Sequence, residues 1–256
     1  MPMPRLFSLC LCSLFLGLSL STSGFTAEPA VPAKPLKILV CGAHPDDPES
    51  GCGGLISLLA QQGHEVSVLY AVTYRQGRSY FNRPEKEVRR EEAAAACAIM
   101  GAKPMFFDDA AGEFYADQKS LAKLTKLLEE QKPDIVLTHW PVDTHPDHAA
   151  MSALVWRCYQ RPGGWNLYYF EVNPNHQTLA YQPNRYLDIG TVRDKKYQAL
   201  MRHTSQKPET IWADHHDPAQ QRRGKECGVA HAEAFLLVEE KAGCPVLPVK
   251  MLTPGK

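Results

Sequence analysis

The chain has 256 residues, of which 44% are hydrophobic and 22% are charged, as is ordinary for a soluble globular protein. Its 28 basic and 28 acidic residues balance, so the charge gives no reason to expect nucleic acid or an anionic membrane as a partner. The length fits one large domain, with or without a small extension.

The first 27 residues have the pattern of a secretory signal peptide. Arg5 precedes an apolar run from Leu6 to Leu20, and small residues follow as far as Ala27. The run is short for a membrane span, and an uncleaved anchor is the alternative. We therefore expect a secreted or periplasmic protein with no transmembrane segment in the mature chain. Residues 28–35 contain three prolines and are predicted to form a linker.

Six cysteines lie beyond the predicted signal peptide. An oxidising compartment would permit disulfides among them. The apolar surroundings of Cys41, Cys97 and Cys158 instead favour buried free thiols at those three positions.

Short apolar runs alternate with helical patterns across residues 36–242, which we predict to form one domain. Residues 37–41 are rich in β-branched side chains and predict a strand. Residues 51–62 predict a helix that Gly63 ends, and residues 65–71 predict a second strand. A strand, a helix and a strand in this order imply a parallel pair joined by a right-handed crossover. The fold class is therefore α/β with a mostly parallel sheet.

The same reasoning places the other elements. The predicted helices are 84–100, 119–131, 149–159, 191–203 and 219–230, and the predicted strands are 105–107, 135–138, 167–170 and 185–189. A polar loop is predicted at 72–83, an acidic loop at 108–117 and an irregular segment at 173–184. Residues 235–238 are predicted to form a late strand or the core of a helix. Residues 243–256 contain three prolines and are predicted to form a flexible tail.

The loop at 72–83 follows the second strand, at the edge of the sheet where ligands commonly bind. It contains Arg75 and Arg78, which we predict to bind substrate. A solvated surface loop is the alternative interpretation.

Two His-Pro-Asp units each follow an apolar run, at residues 44–46 and 145–147. Catalytic zinc sites often use two histidines and a carboxylate. His44 and Asp47 are close enough in one turn to bind a single ion, and His148 can reach it from the loop after the strand at 135–138. The alternative is a pair of strand-end turns in which Asp caps the following helix.

Three further polar residues would lie beside such an ion. Asp46 is placed to act as a general base, and a histidine on the other side, His145, could stabilise an oxyanion or protonate a leaving amine. Asp147 could orient a ligand histidine from behind. His176, His215 and His216 are predicted to be surface loop residues, and His139, at the end of the strand at 135–138, is a candidate for the lining of the cleft.

These motifs resemble the signatures of the PIG-L/LmbE family of zinc-dependent N-acetyl sugar deacetylases. The resemblance rests on His44-Pro45-Asp46-Asp47 with Gly53-Gly54, on Asp143-Thr144-His145-Pro146-Asp147-His148, and on Arg90-Glu91-Glu92-Ala93-Ala94 and His203-Thr204-Ser205-Gln206. It spans roughly residues 36–238. The resemblance implies a Rossmann-like three-layer fold with the active site at the C-terminal ends of the strands.

Carried over by position, the family's zinc ligands would be His44, Asp47 and His148, with Asp46 as the base and His145 beside the oxyanion or leaving amine. Iron(II) could occupy the same ligands. The implied reaction is removal of an acetyl group from an N-acetylated amino sugar or its conjugate. Hydrolysis of another amide or ester, and carbohydrate binding without catalysis, are the alternatives.

The resemblance also suggests contacts with the sugar. Family members often have an acid before the glycine in the loop after the third strand, where this chain has Ala111-Gly112. Asp108 or Asp109 could replace that acid, and we take Asp109 as the candidate. Asp143 and His203 complete the predicted substrate-binding set, with capping of a helix end as the alternative for His203.

Overall fold

The computed structural model describes Met1, residues 34–161 and residues 164–254. The predicted signal peptide beyond Met1, and all of the predicted linker before Lys34, lie outside the described residues. Within the described part of the chain, no helix has both the length and the apolar character needed to cross a membrane.

The described residues form ten strands and seven α-helices. The strands are β1 (Lys37–Gly42), β2 (Glu65–Tyr74), β3 (Ser79–Tyr80), β4 (Arg83–Pro84), β5 (Lys103–Ala110), β6 (Ile135–His139), β7 (Asn166–Phe170), β8 (Arg185–Asp188), β9 (Ala232–Leu237) and β10 (Met251–Leu252). The helices are α1 (Asp47–Gln61), α2 (Glu85–Met100), α3 (Gln118–Gln131), α4 (Pro146–Tyr159), α5 (Arg193–Leu200), α6 (Pro208–Ile211) and α7 (Asp217–Cys227). A 3-10 turn (Thr204–Gln206) and a π-helical turn (Trp212–His216) flank α6.

Eight of these strands form one sheet in the order β10-β8-β9-β7-β6-β1-β2-β5. The five strands from β7 to β5 are parallel, and β9, β8 and β10 add an antiparallel edge. The chain leaves β1 toward β2 and β5 and then returns to the other side through β6. The order therefore reverses between β1 and β6, and ligands bind in the crevice at such a point in open α/β sheets.

Two apolar layers cover the two faces of the sheet. Successive residues of β1 point to opposite faces, so that Val40 packs with Leu55 of α1 on one side and Leu39 packs with Leu124 of α3 on the other. Nearly continuous burial of β1, β6 and β7 is typical of parallel strands covered on both faces. The expected three-layer α/β fold with a mostly parallel sheet is confirmed.

Several elements are longer than predicted, and two of these differences affect the site. Helix α1 begins at Asp47 and helix α4 at Pro146, three or more residues before the predicted starts. Proline fits the first turn of a helix because its fixed φ suits that turn and its missing N–H is not needed there. The two His-Pro-Asp units therefore lead directly into helix N-termini.

Strand β5 continues to Ala110, so Asp109 lies on a strand and the predicted acidic loop begins later. Residues 232–237 form a strand, which resolves the two alternatives for that region. The predicted flexible tail instead packs on the domain as far as β10, which ends at Leu252. Leu247 is buried there, the Asn166 side chain donates to the carbonyl oxygen of Pro245 at 2.9 Å, and β10 pairs with β8.

All six cysteines of the described residues are free. Cys41, Cys97 and Cys158 are buried, as predicted, and Cys52 is buried too. The strongly apolar surroundings explain this, because a free thiol packs as a small hydrophobic group.

A buried ion pair joins Lys196 of α5 to Glu233 of β9, and both side chains contact the backbone of α1. The Lys196 and Glu233 side chains are 1% and 2% exposed, and their charged groups lie 2.7 Å apart. Glu233 also accepts from the backbone N–H groups of Gly54 (2.7 Å) and Leu55 (2.8 Å). A Cβ atom at Gly53 would lie 2.9 Å from Lys196 Cγ, so glycine there lets the lysine stem approach the helix.

Removing the lysine charge should destabilise the fold, because Glu233 would remain buried without its cation. We expect Lys196→Ala to lower the free energy of unfolding by about 3–5 kcal/mol, measured by urea denaturation. Lys195→Ala, the same change at the preceding and more accessible position, serves as the control and should cost less than about 1 kcal/mol. Similar losses in both variants would contradict this role for the ion pair.

Candidate functional site

Strands β1 and β6 lie side by side and end at the same edge of the sheet. The loop after β1 presents His44 and Asp46, and α1 begins with Asp47. The loop after β6 leads to His145, and His148 lies in the first turn of α4. The two motifs, about one hundred residues apart in the chain, are therefore brought together because their strands pair in parallel.

One carboxylate oxygen, Asp47 Oδ2, is the centre of the cluster. It lies 3.2 Å from His44 Nδ1 and 3.2 Å from His148 Nε2. It also accepts from the backbone N–H of His44 at 2.7 Å. The structure thus brings the three predicted zinc ligands together around one point.

Each of these two histidines has a carboxylate on its far side. His44 Nε2 lies 2.9 Å from Asp147 Oδ2, and His148 Nδ1 lies 3.2 Å from Asp143 Oδ1. Such outer carboxylates fix the orientation of a ligand imidazole and raise its basicity. Asp147 therefore contacts one of the two predicted ligand histidines, His44.

Asp143 was predicted to bind substrate, but its carboxylate faces the protein. It accepts from the backbone N–H of His145 at 2.8 Å and from the Thr178 hydroxyl at 3.0 Å, and its side chain is 1% exposed. The contact with His148 explains this placement better than a contact with a sugar.

The cluster concentrates opposite charges in a buried space. Burial raises the pKa of Asp47, but the positive charges of His148 and His44 outweigh this and hold it well below its usual value. Burial lowers the pKa of His148, but Asp47 and Asp143 outweigh this and raise it to about 10. Both pKa shifts follow from the close contact of these imidazoles with the Asp47 carboxylate.

The donor set fits a divalent metal ion. Two overlapping groups place their ligand atoms within 4.8 Å of one another: His44, His145 and His148, and Asp47, His139 and His148. Imidazole nitrogen and carboxylate oxygen are the donors of catalytic zinc sites, and iron(II) accepts the same donors. The cluster could therefore hold a metal ion.

His139 was not among the predicted ligands, although its Nε2 lies 3.5 Å from Asp47 Oδ2. This nitrogen accepts the backbone N–H of Ala43 at 2.9 Å, which uses its lone pair. The His139 ring stacks on that of His148, with centroids 4.1 Å apart. Burial is the main cause of a pKa well below the usual value, so the ring is neutral. Its contacts indicate support for the loop after β1 and for His148.

Asp46 projects into the cleft beside this cluster. Its φ of 109° is unusual for a residue other than glycine, and such strain often marks a functional position. Arg89 donates to the carbonyl oxygen of Pro45 and lies 3.4 Å from Asp46 Oδ1. The pKa of Asp46 is raised, mainly by burial. The positive charge of Arg89 lowers this pKa, and the negative charge of Asp47 raises it further. A carboxylate with a raised pKa is suited to accept a proton.

His145 lies on the cleft wall next to the cluster, with its ring centroid 4.5 Å from that of His44. Its Nδ1 accepts from the backbone N–H of Asp147 at 3.2 Å. The ring proton is therefore assigned to Nε2. Burial lowers the pKa of His145, and His44 and His148 lower it further. His145 is thus a neutral imidazole with one N–H to donate.

A cavity of about 310 Å³ opens over these groups. Its lining includes His44, Asp46, Asp47, His145 and His148, together with Arg75 and Arg78. Two other predicted substrate contacts do not line it. Asp109 pairs with Lys123 at 3.1 Å, and His203 is fully buried, with its Nε2 3.1 Å from Glu49 Oε1.

The π-helical turn brings two histidines to the cavity that were predicted to be surface loop residues. His215 lines the cavity, and His216 is buried with its Nε2 2.9 Å from the Ser50 hydroxyl. That hydroxyl donates to the carbonyl oxygen of Asp46 at 2.8 Å. His216 therefore helps to fix the backbone that carries Asp46. The one signal in the sequence is a pair of adjacent histidines before Asp217-Pro218.

Comparison with known proteins gives the family. The PIG-L family model, described as GlcNAc-PI de-N-acetylase, matches residues 39–159. A 4-oxalmesaconate hydratase of Pseudomonas putida is 32% identical over 198 residues, which are 68% of this chain and 74% of that protein. The chain therefore belongs to the PIG-L family.

Two further proteins are similar to this chain. A probable N-acetyl-alpha-D-glucosaminyl L-malate deacetylase 2 of Bacillus cereus is 29% identical over 192 residues, covering 70% of this chain and 87% of that protein. The N,N'-diacetylchitobiose deacetylase structure from Pyrococcus horikoshii has a TM-score of 0.71 at 23% identity, covering 83% of this chain and 87% of that chain. The second match concerns the fold alone.

The outer carboxylate on His44 should be needed for tight metal binding. We expect Asp147→Asn to weaken the affinity for zinc by about 10–100-fold, because the amide orients the imidazole less firmly and lowers its basicity. Competition with a chromophoric chelator measures this affinity. Asp134→Asn is the matched control, since the Asp134 carboxylate accepts the backbone N–H of Lys37, at the opposite end of β1 from the site, at 2.8 Å. An unchanged affinity in Asp147→Asn would contradict the assignment.

Proposed function

We propose that this protein is a zinc-dependent hydrolase that removes an acetyl group from an N-acetylated amino sugar or its conjugate. The main support is the convergence of His44, Asp47 and His148 on one point beside Asp46. Membership of the PIG-L family and the deacetylase named in Bacillus cereus agree with this proposal.

His44, Asp47 and His148 would hold the ion. A divalent metal there supplies Lewis acidity, which polarises a carbonyl group and lowers the pKa of water. Asp147 and Asp143 keep the two imidazoles in the orientation that directs a lone pair to the site.

Asp46 would take a proton from the attacking water as its oxygen bonds to the acetyl carbon. His145 would donate its Nε2 proton in a hydrogen bond to the carbonyl oxygen, where negative charge develops. The C–N bond then breaks, the proton held by Asp46 passes to the leaving nitrogen, and acetic acid and the amine are released. At neutral pH the remaining proton of the acid passes through solvent to the amine, which gives acetate and an ammonium group. Asp46 returns to its starting state, so the proton count balances.

Removing the base tests the proposal. We expect Asp46→Asn to lower kcat for acetate release by about 10²–10⁴-fold, the usual contribution of a general base, with stoichiometric zinc retained. Asn is the right replacement because it tolerates a positive φ. Asp194→Asn, an exposed position on α5, is the control.

Either of two results would contradict the mechanism: a purified protein that binds no divalent metal, or an unchanged rate of acetate release in Asp46→Asn. The substrates for the assay are N-acetylglucosamine-containing glycans, glycolipids and peptidoglycan fragments, with released acetate as the readout.

A second candidate function is addition of water to a carbon–carbon double bond. The hydratase named in Pseudomonas putida, at 32% identity, favours it. A base and an N–H donor on either side of a cleft could serve that reaction as well. Loss of the ultraviolet absorbance of an unsaturated polycarboxylate, without acetate release from any sugar, would select this function.

We also propose that the protein is exported. The motif at residues 1–27 supports this. Cell fractionation followed by N-terminal sequencing should find a mature chain that starts near residue 25 or 28, and a full-length cytosolic chain would contradict it.

A further inference from the structure

The backbone of Asp46 has a conformation that a residue with a side chain rarely adopts. Its φ is 109° and its ψ is −29°, a region that glycine enters readily and other residues avoid. A residue in such a region stays there only where the surrounding structure fixes it. The contacts of the two peptide groups that flank the Asp46 Cα atom therefore decide where its carboxylate lies.

Buried side chains hold both of these peptide groups. On the N-terminal side, the Arg89 guanidinium donates to the carbonyl oxygen of Pro45. On the C-terminal side, the Ser50 hydroxyl donates to the carbonyl oxygen of Asp46 at 2.8 Å. Arg89 and Ser50 are each 8% exposed. Because φ and ψ of Asp46 are the only soft rotations between the two planar peptide groups, the two contacts together fix both angles.

The contact on the C-terminal side continues to His216. The Ser50 hydroxyl has one proton, which it donates to Asp46, so it accepts at its other contact. His216 Nε2 lies 2.9 Å from this oxygen and is therefore the donor, which assigns the ring proton to Nε2. Burial, with the positive charge of Lys196, lowers the pKa of His216 to about 3. The imidazole is therefore neutral and donates in one direction only.

The π-helical turn places His216 at this position. The backbone N–H of Asp217 donates to the carbonyl oxygen of Trp212, five residues earlier, so the turn contains one residue more than an α-helical turn. The Gln220 amide donates to the carbonyl oxygen of His216 at 3.0 Å. Such turns are frequent at functional sites, and here the turn directs the His216 ring at the start of α1.

We propose that His216 is a positioning residue for the general base. Through the Ser50 hydroxyl it holds Asp46 in the positive-φ conformation from which the carboxylate projects into the cleft. Arg89 holds the peptide group on the other side of the same residue. This inference rests on the proposed function, which makes Asp46 the base, and it adds the residues that place that base. His216 itself takes no proton in the reaction.

Two substitutions remove the contact and leave the base in the chain. Ser50→Ala lacks the hydroxyl, and His216→Phe keeps a ring but has no N–H to donate. In the zinc-loaded full-length protein, we expect each to lower kcat for acetate release from N-acetylglucosamine-containing glycans by about 10–100-fold, the cost of misplacing a reacting group by about 1 Å. KM should stay within about twofold of the original value, and zinc should remain stoichiometric. His216→Gln should recover most of kcat, because its amide can donate in place of Nε2.

Ser57→Ala is the matched control. Ser57 also lies on α1, is buried, and donates to the carbonyl oxygen four residues earlier, that of Gly53, at 2.7 Å. The substitution therefore removes the same kind of hydrogen bond from the same helix without touching Asp46, and kcat should stay within about twofold. Equal losses of kcat in Ser57→Ala and Ser50→Ala would overturn the proposal.

A double substitution tests whether His216 acts through Asp46. In the Asp46→Asn background, His216→Phe should lower the remaining rate by no more than about twofold, because the group that His216 positions is already absent. A residue that only supports the fold would lower the rate by the same factor in both backgrounds. Equal factors would therefore contradict a positioning role.

Crystal structures separate this inference from the proposed function. We expect the Asp46 carboxylate to shift by about 1 Å or more in His216→Phe and to keep its place in Ser57→Ala. If the protein releases no acetate from any sugar, the deacetylase proposal fails alone, and a shift of the carboxylate still supports the contact between His216 and Ser50 as its cause. An unmoved carboxylate in His216→Phe overturns the inference whatever the rates.

Discussion

The site depends on the pairing of β1 with β6. These strands run parallel in register, with Cys41 opposite Thr138, and the Thr138 hydroxyl donates to the carbonyl oxygen of Cys41 at 3.1 Å. One residue further, His139 accepts the N–H of Ala43. Side-chain hydrogen bonds thus extend the backbone hydrogen bonds between β1 and β6 at the point where the two strands end. A shift of one residue in this register would move every side chain to the other face and separate the two halves of the cluster.

Hydrogen bonds and ion pairs around this junction hold the loop after β1 and the helix that follows it. The catalytic loop after β1 is held by Arg89 on one side and by Ser50 and His216 on the other. Beneath α1, the Lys196–Glu233 pair fixes the start of the helix from the antiparallel edge of the sheet. The edge strands are distant from the chemistry, yet they stabilise the helix from which Asp47 projects. Precise positioning of reacting groups needs such a second layer of contacts.

Much of this was visible in the sequence, because apolar runs that stop at His and Asp mark strand ends in an α/β sheet. The proximity of His44, Asp47 and His148 could be predicted because two His-Pro-Asp units each follow an apolar run. His216 could not, because its contact with Ser50 joins residues 166 positions apart in a region without periodicity. Asp109 was assigned to a loop because β5 was predicted too short, and Asp143 was assigned to substrate because burial cannot be seen in a motif.

The free cysteines have a consequence for how the chain matures. Burial raises the pKa of the Cys41 and Cys97 thiols, and of Cys52, far above neutral pH. Thiol–disulfide exchange requires the thiolate, so these sulfurs are chemically inert once the domain has folded. The described fold requires no oxidant and no disulfide isomerase. If the chain is exported, the risk that these buried thiols are oxidised is greatest before its core closes.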